Sequence, residues 1–143
     1  MRFLCIDLGD KRTGLAICDG DEIMASPLGI IEGQKNLQYE IIKIAKEHQV
    51  QGLVFGLALN MDGTEGDRAI QTKKIVEEIK TKISLPVFFQ DERLSTFSAG
   101  NKLSRIGLTH KKKKFKIDAI AAAEILTEFL NSRKKVSGNQ NNY

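Results

Sequence analysis

Three closely spaced apolar runs within the first thirty-odd residues, followed by two more that are each introduced by a helical pattern, predict an α/β fold. The expected architecture is a mixed five-stranded sheet, an antiparallel three-strand meander plus two further strands, flanked by α-helices. With 143 residues, 41% of them hydrophobic and 28% charged, the chain has enough apolar material for one ordinary core and not for two. One domain over residues 1–131 is expected, followed by a basic, polar tail over 132–143 with little to bury and a tendency to fray.

Arg2 to Leu8 is almost continuous hydrophobe, and Gly9-Asp10-Lys11-Arg12 turns the chain into a second run, Thr13 to Cys18. A third run, Glu22 to Ile31, contains Pro27, which a strand tolerates best at a sheet edge. Leu37, Ile41, Ile44, Ala45 and His48 then follow helical spacing and predict a helix over about 35–49. Gly52 to Leu59 reads as a buried strand. Thr64 and Asp67 resemble a capping pair for a helix that ends near Ile83. Pro86 to Gln90 is a short strand, Ser95 or Thr96 caps a helix reaching about Arg105, and Ile117 to Leu130 forms the last helix. Right-handed crossovers bring the later strands beside the first one.

Composition excludes several functions. No apolar run approaches the roughly 20 residues of a membrane span, and the first acid comes too early for a signal peptide, so a cytoplasmic protein without a membrane partner is expected. Cys5 and Cys18 lie in apolar runs without metal-ligand spacing and read as free, buried thiols; His48 and His110 are isolated and suggest no zinc site. The formal charge is +4, but it is unevenly placed. Lys102, Arg105, Lys111, Lys112, Lys113, Lys114 and Lys116 supply seven positive charges in a stretch without an acid. Setting aside these and Arg133, Lys134 and Lys135 leaves a remainder of net charge −6. Such a cluster is either a solubilising loop or a sequence-nonspecific phosphate-binding surface.

Three acids stand where acids are costly. Asp7 alternates with Phe3 and Cys5 in a strand that is hydrophobic on both faces; the ordinary reading is an acid that caps the following turn. Asp118 projects with Ala122, Ile125 and Phe129 on the apolar side of its helix, where a favourable meeting with the helix dipole explains its place along the helix but not its direction. Asp91 and Glu92 follow a strand and point to opposite faces, so at most one can join a common site. Carboxylates at Asp7, Asp118 and one of these two suit a hard cation, Mg2+ or Mn2+, and a pair of such ions is suited to hydrolysis of phosphodiesters.

Four ordered blocks resemble the YqgF, or RuvX, family: Ile6-Asp7-Leu8-Gly9-Asp10-Lys11-Arg12-Thr13-Gly14-Leu15-Ala16, Gly56-Leu57-Ala58-Leu59-Asn60-Met61-Asp62-Gly63, Asp91-Glu92-Arg93-Leu94-Ser95-Thr96 and Asp118-Ala119-Ile120-Ala121-Ala122. The resemblance implies an RNase H-like fold and a nuclease that matures the 5′ end of precursor 16S ribosomal RNA; the family is also similar to RuvC resolvases of four-way DNA junctions. It implies Asp7, Glu92 and Asp118 as catalytic residues and metal ligands, with Asp91 the alternative to Glu92. Lys11, Arg12 and Arg93 become candidates for positioning phosphate, although an ion pair with a neighbouring acid accounts equally for Arg12 or Arg93. Ala58 departs from the family's usual proline, and Leu57-Ala58-Leu59-Asn60 lacks the acid that RuvC-like nucleases carry near the end of the fourth strand, so Glu92 would replace it from the next strand.

The expected partner is therefore structured nucleic acid, precursor 16S RNA ahead of four-way DNA junctions, within ribosome assembly intermediates. Junction resolution would call for a homodimer, whereas a monomer suffices for RNA processing. A non-catalytic RNA-binding assembly factor, using the basic surface alone, is the competing reading from a different class.

Overall fold

A computed structural model describes the backbone at residues 1–92 and 110–140, with side chains at 1–92 and 117–134. Strands β1 (Phe3–Asp7), β2 (Arg12–Cys18) and β3 (Ala25–Glu32) precede helix α1 (Leu37–Glu47), strand β4 (Gly52–Leu57), helix α2 (Asp67–Lys80), strand β5 (Val87–Asp91) and helix α3 (His110–Gln140). The strands form one five-stranded sheet in the order β3-β2-β1-β4-β5. β1, β2 and β3 pair antiparallel, while β1 with β4 and β4 with β5 pair parallel. The predicted meander and mixed sheet are both present, and β3, with Pro27, lies at the edge.

The sheet has two covered faces, and its strands read as continuous hydrophobe for that reason. Leu4, Ile6, Leu15, Leu53 and Phe55 pack on one face with Ile41 of α1 and Val76 and Ile79 of α2. Phe3, Cys5, Ala16, Cys18 and Val54 pack on the other with Ala122, Ile125, Leu126 and Phe129 of α3. Each large apolar side chain withdrawn from water in this way contributes about 1.5–3 kcal/mol before entropy is set against it. α1 ends with Gln49 in the left-handed region (φ 53°), its N–H donating to the Lys46 carbonyl and that of Val50 to the Ala45 carbonyl. This is the bonding of a Schellman motif, with glutamine in the place glycine usually takes.

Two boundaries differ from those read in the sequence. Thr64 does not cap α2. Its hydroxyl donates to Asp62 Oδ1 (2.6 Å) and accepts from Asn60 Nδ2 (3.0 Å), so it closes the loop onto itself and leaves Gly66 at the helix start. The last helix is also much longer than Ile117 to Leu130, because between Gly107 and Gly138 there is neither glycine nor proline and good helix formers dominate. Lys111 to Lys116 consequently lie on helical backbone rather than in a loop, and residues 132–140 continue the helix instead of fraying from Ser132. Arg133 helps to hold that extension. Its guanidinium lies 4.9 Å from the Phe3 ring centre and pairs with Glu22 (Nε to Oε1, 2.7 Å).

Candidate active site

Asp7 ends β1, four residues after Phe3 and on the same, α3-facing side of the sheet. Its two neighbours across the sheet are glycines. Gly14 of β2 is its direct partner, and Gly56 of β4 lies one residue beyond the Ile6–Phe55 pair. A close approach of backbone requires the first glycine, and the ends of two side chains fill the space over the second. A Cβ on Gly14 would stand 2.0 Å from the Asp118 carbonyl oxygen, so this glycine lets α3 lie directly against β2. A Cβ on Gly56 would stand 2.5 Å from Glu92 Oε2 and 2.9 Å from Ile125 Cδ1, so this one leaves the space into which the Glu92 carboxylate reaches. Two absent side chains thus bring two acids from distant sequence towards a third.

Alternation along β5 decides between Asp91 and Glu92. Phe88 packs with the α3-side cluster and Val87 with the opposite one, while Phe89 faces Lys73 of α2. Continuing the alternation puts Asp91 on the α1/α2 side and Glu92 on the side of Asp7. The Glu92 N–H donates to the Leu57 carbonyl (3.2 Å), which keeps the residue in line with the sheet after β5 ends. The Asp7 and Glu92 carboxyl groups are hydrogen-bonded to each other. Glu92 therefore comes from the neighbouring strand into the space beside β4, where the β4 sequence itself has no acid.

The electrostatics follow from this crowding. Burial pushes the Asp7 carboxyl up from 3.8 to about 8, reinforced by the charge of Glu92, by the hydrogen bond with it and by Asp118; Arg68 opposes the rise. At that value the protonated form of Asp7 is favoured at neutral pH. Cys5, immediately behind, has its thiol raised well above the usual range, by burial first and then by Asp7 and Glu92, and is an inert packing group.

Asp118 lies on the stripe of α3 that buries Ala122, Ile125 and Phe129, eight residues after the helix begins, so the dipole at the helix start does not account for it. Its Oδ2 accepts a hydrogen bond from Arg12 Nε at 2.7 Å in a half-buried ion pair. Arg12 thus takes the ion-pair role. The arrangement joins Asp7 and Glu92 directly and sets Asp118 within electrostatic reach, engaged with Arg12. Among the described residues no three His, Cys, Asp or Glu side chains form a metal-binding group. The donor chemistry of the Asp7–Glu92 pair fits a divalent cation, because it brings hard carboxylate oxygens together in a place where burial and mutual repulsion penalise bare negative charge.

Lys11 is exposed on the β1–β2 turn. Arg93, Lys102 and Arg105 lie outside the described residues, as do the side chains of Lys111, Lys112, Lys113, Lys114 and Lys116. Sequence reasoning missed Arg68. Its Nη2 donates to the Leu8 carbonyl (3.1 Å), one residue past Asp7. A usable signal existed: an arginine in the first turn of a helix opposes the dipole there and calls for a compensating partner. Gln34 was missed too; its amide donates to the carbonyls of Gly9 (3.0 Å) and Asp10 (3.2 Å) and steadies the same turn.

Comparison with known proteins shows the family and the fold. A family model described as "RuvX: Holliday junction resolvase" matches residues 1–132. A protein of Syntrophomonas wolfei is 38% identical over 133 residues, covering 91% of this chain and 94% of its own, and one of Roseiflexus sp. is 33% identical over 135 residues, covering 93% and 96%. Both carry the description "Putative pre-16S rRNA nuclease". Among solved structures, Thermus thermophilus RuvC in complex with a Holliday junction substrate superposes with a TM-score of 0.58 at 14% identity, over 94% of this chain and 96% of that one. The fowlpox virus Holliday junction resolvase gives 0.56 at 14% identity, over 92% and 99%. At these identities the two structures establish the shared RNase H-like fold.

Proposed function

The chain belongs to the RuvX family, and on that premise we propose that it is a nuclease that hydrolyses a phosphodiester bond at the end of β1. The hydrogen-bonded carboxyl pair Asp7 and Glu92 carries the reading: two acids from different strands are held together, at the cost of a raised pKa, where packing alone would favour apolar groups. Precursor 16S ribosomal RNA is the substrate we favour, after the description of the relatives; the protein would then act on ribosome assembly intermediates in the cytoplasm. Four-way DNA junctions take second place, because the likeness to RuvC is one of fold.

Asp7 and Glu92 would hold a divalent cation, Mg2+ or Mn2+, with Asp118 the third carboxylate of the centre. When bound, such ions activate water and stabilise the charge that develops on the phosphate. The chain's own residues do the rest. Asp7 would have to give up its proton to hold a cation, so loading would be linked to pH. Gly14 and Gly56 fix the separation of the acids by letting backbone and carboxylate approach without a side chain between them. Arg12 holds Asp118 in a defined direction.

The test is cleavage of a precursor 16S transcript by the protein and by Asp7→Asn and Glu92→Gln. Each substitution is expected to lower the cleavage rate by roughly 100-fold or more, since loss even of outer groups at metal centres costs about 10–100-fold. RNA binding should remain within about twofold, because neither carboxylate attracts phosphate. An Asp7→Asn protein that cleaves at the normal rate defeats the proposal. Retained salt-sensitive binding by a wild-type protein that yields no product would favour the assembly-factor reading.

A further inference from the structure

We propose that Arg68 grips a backbone phosphate of the bound nucleic-acid strand, on the α2 side of the β1 end; the inference rests on the nuclease reading and adds to it a binding subsite. Three observations place it there. Its guanidinium donates to the Leu8 carbonyl (3.1 Å), which fixes the head group one residue from Asp7. That acceptor is a neutral oxygen, and among the described residues no carboxylate lies within ion-pair distance of Arg68. Its charge reaches Asp7 without contact, and among the described residues the Leu8 carbonyl is the acceptor it engages, which leaves the other N–H donors of the guanidinium for a ligand. Finally, the side chain is exposed and lies beside a narrow recess lined by Leu8, Gly9, Asp10, Gln34, Gln71 and Thr72, with the exposed Lys11 on the same turn.

The contrast with Arg12 sharpens the assignment. Arg12 stands on the α3 side of Asp7 and is neutralised by Asp118. Arg68 stands on the α2 side and, among the described residues, has no carboxylate at ion-pair distance. A strand whose scissile phosphate lies over Asp7 and Glu92 needs its neighbouring phosphates held against the repulsion of those acids, and a guanidinium anchored by one donor presents the others as a fork that matches phosphate oxygens. The purely structural alternative is that Arg68 only pins the Leu8 carbonyl, which keeps the chain after Asp7 in place.

Binding and turnover separate the two. In an Asp7→Asn background, a fluorescein-labelled RNA hairpin with a single-stranded 5′ extension is titrated by anisotropy over about 50–200 mM KCl. Adding Arg68→Gln should weaken binding roughly tenfold at the low-salt end and reduce the slope of log Kd against log salt by about one, the increment for one phosphate contact. Arg68→Lys, which keeps the charge and can still reach Leu8, should restore most of the slope. With Asp7 intact, Arg68→Gln should raise KM on the precursor transcript more than it lowers kcat. An unchanged slope overturns the proposal, as does a binding loss that tracks a lowered melting temperature and is not rescued by Arg68→Lys. Wild-type protein that binds the hairpin with the Arg68-dependent slope yet cuts no RNA would defeat the nuclease reading and leave the subsite standing. Protein that cuts RNA while Arg68→Gln moves neither slope nor KM would defeat the subsite alone.

Discussion

Helix α3 is tied to the sheet at two places by an arginine and a carboxylate, each pair at 2.7 Å. At one, Arg133 meets Glu22; at the other, Arg12 meets Asp118. Distance does not tell them apart, but their surroundings do. Arg133 lies over the rings of Phe3 and Phe129, which with Phe88 form a cluster with ring centres 5.1–5.8 Å apart, and Glu22 also accepts from the N-terminal ammonium. Every charge there has an opposite charge beside it. Asp118 instead lies within electrostatic reach of Asp7, which is itself beside Glu92, so a second and a third acid stand near the ion pair. The first pair fastens a helix to an aromatic platform; the second belongs to an acidic centre whose excess charge is suited to a cation.

Exchanging charge for shape at the two acids should expose that difference most strongly. Asp118→Asn keeps a hydrogen-bond acceptor for Arg12 but removes the charge, and is expected to reduce cleavage of precursor RNA by roughly 100-fold while the melting temperature changes little. A variant with near-normal cleavage would put Asp118 in the same class as Glu22, as a fastening residue, and would reduce the centre to Asp7 and Glu92.

The two regions should also respond to pH in opposite directions. Asp7 has its carboxyl raised from 3.8 to about 8 in the folded protein. The folded state therefore keeps a proton that the unfolded chain releases, and the associated stability is present below about pH 4 and lost as the pH rises towards 8. Glu22 has its carboxyl lowered, first by the hydrogen bond from Arg133, with burial acting against it and the N-terminal ammonium adding to the fall. Its contribution is present above the ordinary value of 4.5 and lost as the pH falls through the lower folded one. Chemical denaturation from pH 5 to 9 should show stability falling with pH, and Asp7→Asn should remove on the order of a few kcal/mol of that fall. Saturating Mg2+ should flatten the same profile in the wild-type protein, since a cation takes the place of the proton. A wild-type profile that is already flat would mean that Asp7 ionises freely and that the pair is looser than the structure places it.

Much of this contrast was legible in the residues, and the rest was not for identifiable reasons. The meander, the edge position of Pro27 and the apolar stripe of α3 follow from period and turn chemistry, which are local. Asp7 and Asp118 stood out because each broke such a pattern. The choice of Glu92 over Asp91 needed the strand to keep its alternation to the last residue, and only the packing of Val87 and Phe88 on opposite faces fixes that. Gly14 and Gly56 were visible only as motif letters, because a glycine required by close approach shows its reason only when the approaching atoms are known. The length of α3 is hard to read because a run of lysines stands out by its charge while its helix propensity is what extends the helix. Arg133 falls in a stretch that reads as a polar tail, although its aliphatic stem and planar head can cover aromatic rings.

The smallest expected effect is at the fastening pair, and it serves as the control for the others. Glu22→Gln removes the charge that faces both Arg133 and the N-terminus, but an ion pair with partly exposed side chains contributes only about 0–1 kcal/mol, and the guanidinium keeps its contact with Phe3 and Phe129. Thermal melts should therefore shift by a few degrees at most, with cleavage of precursor RNA within about twofold of wild type. Lowering the pH below the ordinary carboxylate range should bring wild type and variant together, because protonation then removes the same charge from both. If Glu22→Gln instead lowered cleavage as much as Asp118→Asn does, α3 would have to transmit its fastening at the aromatic cluster to the carboxylate centre as a rigid rod, and the two ion pairs would be parts of one device rather than two.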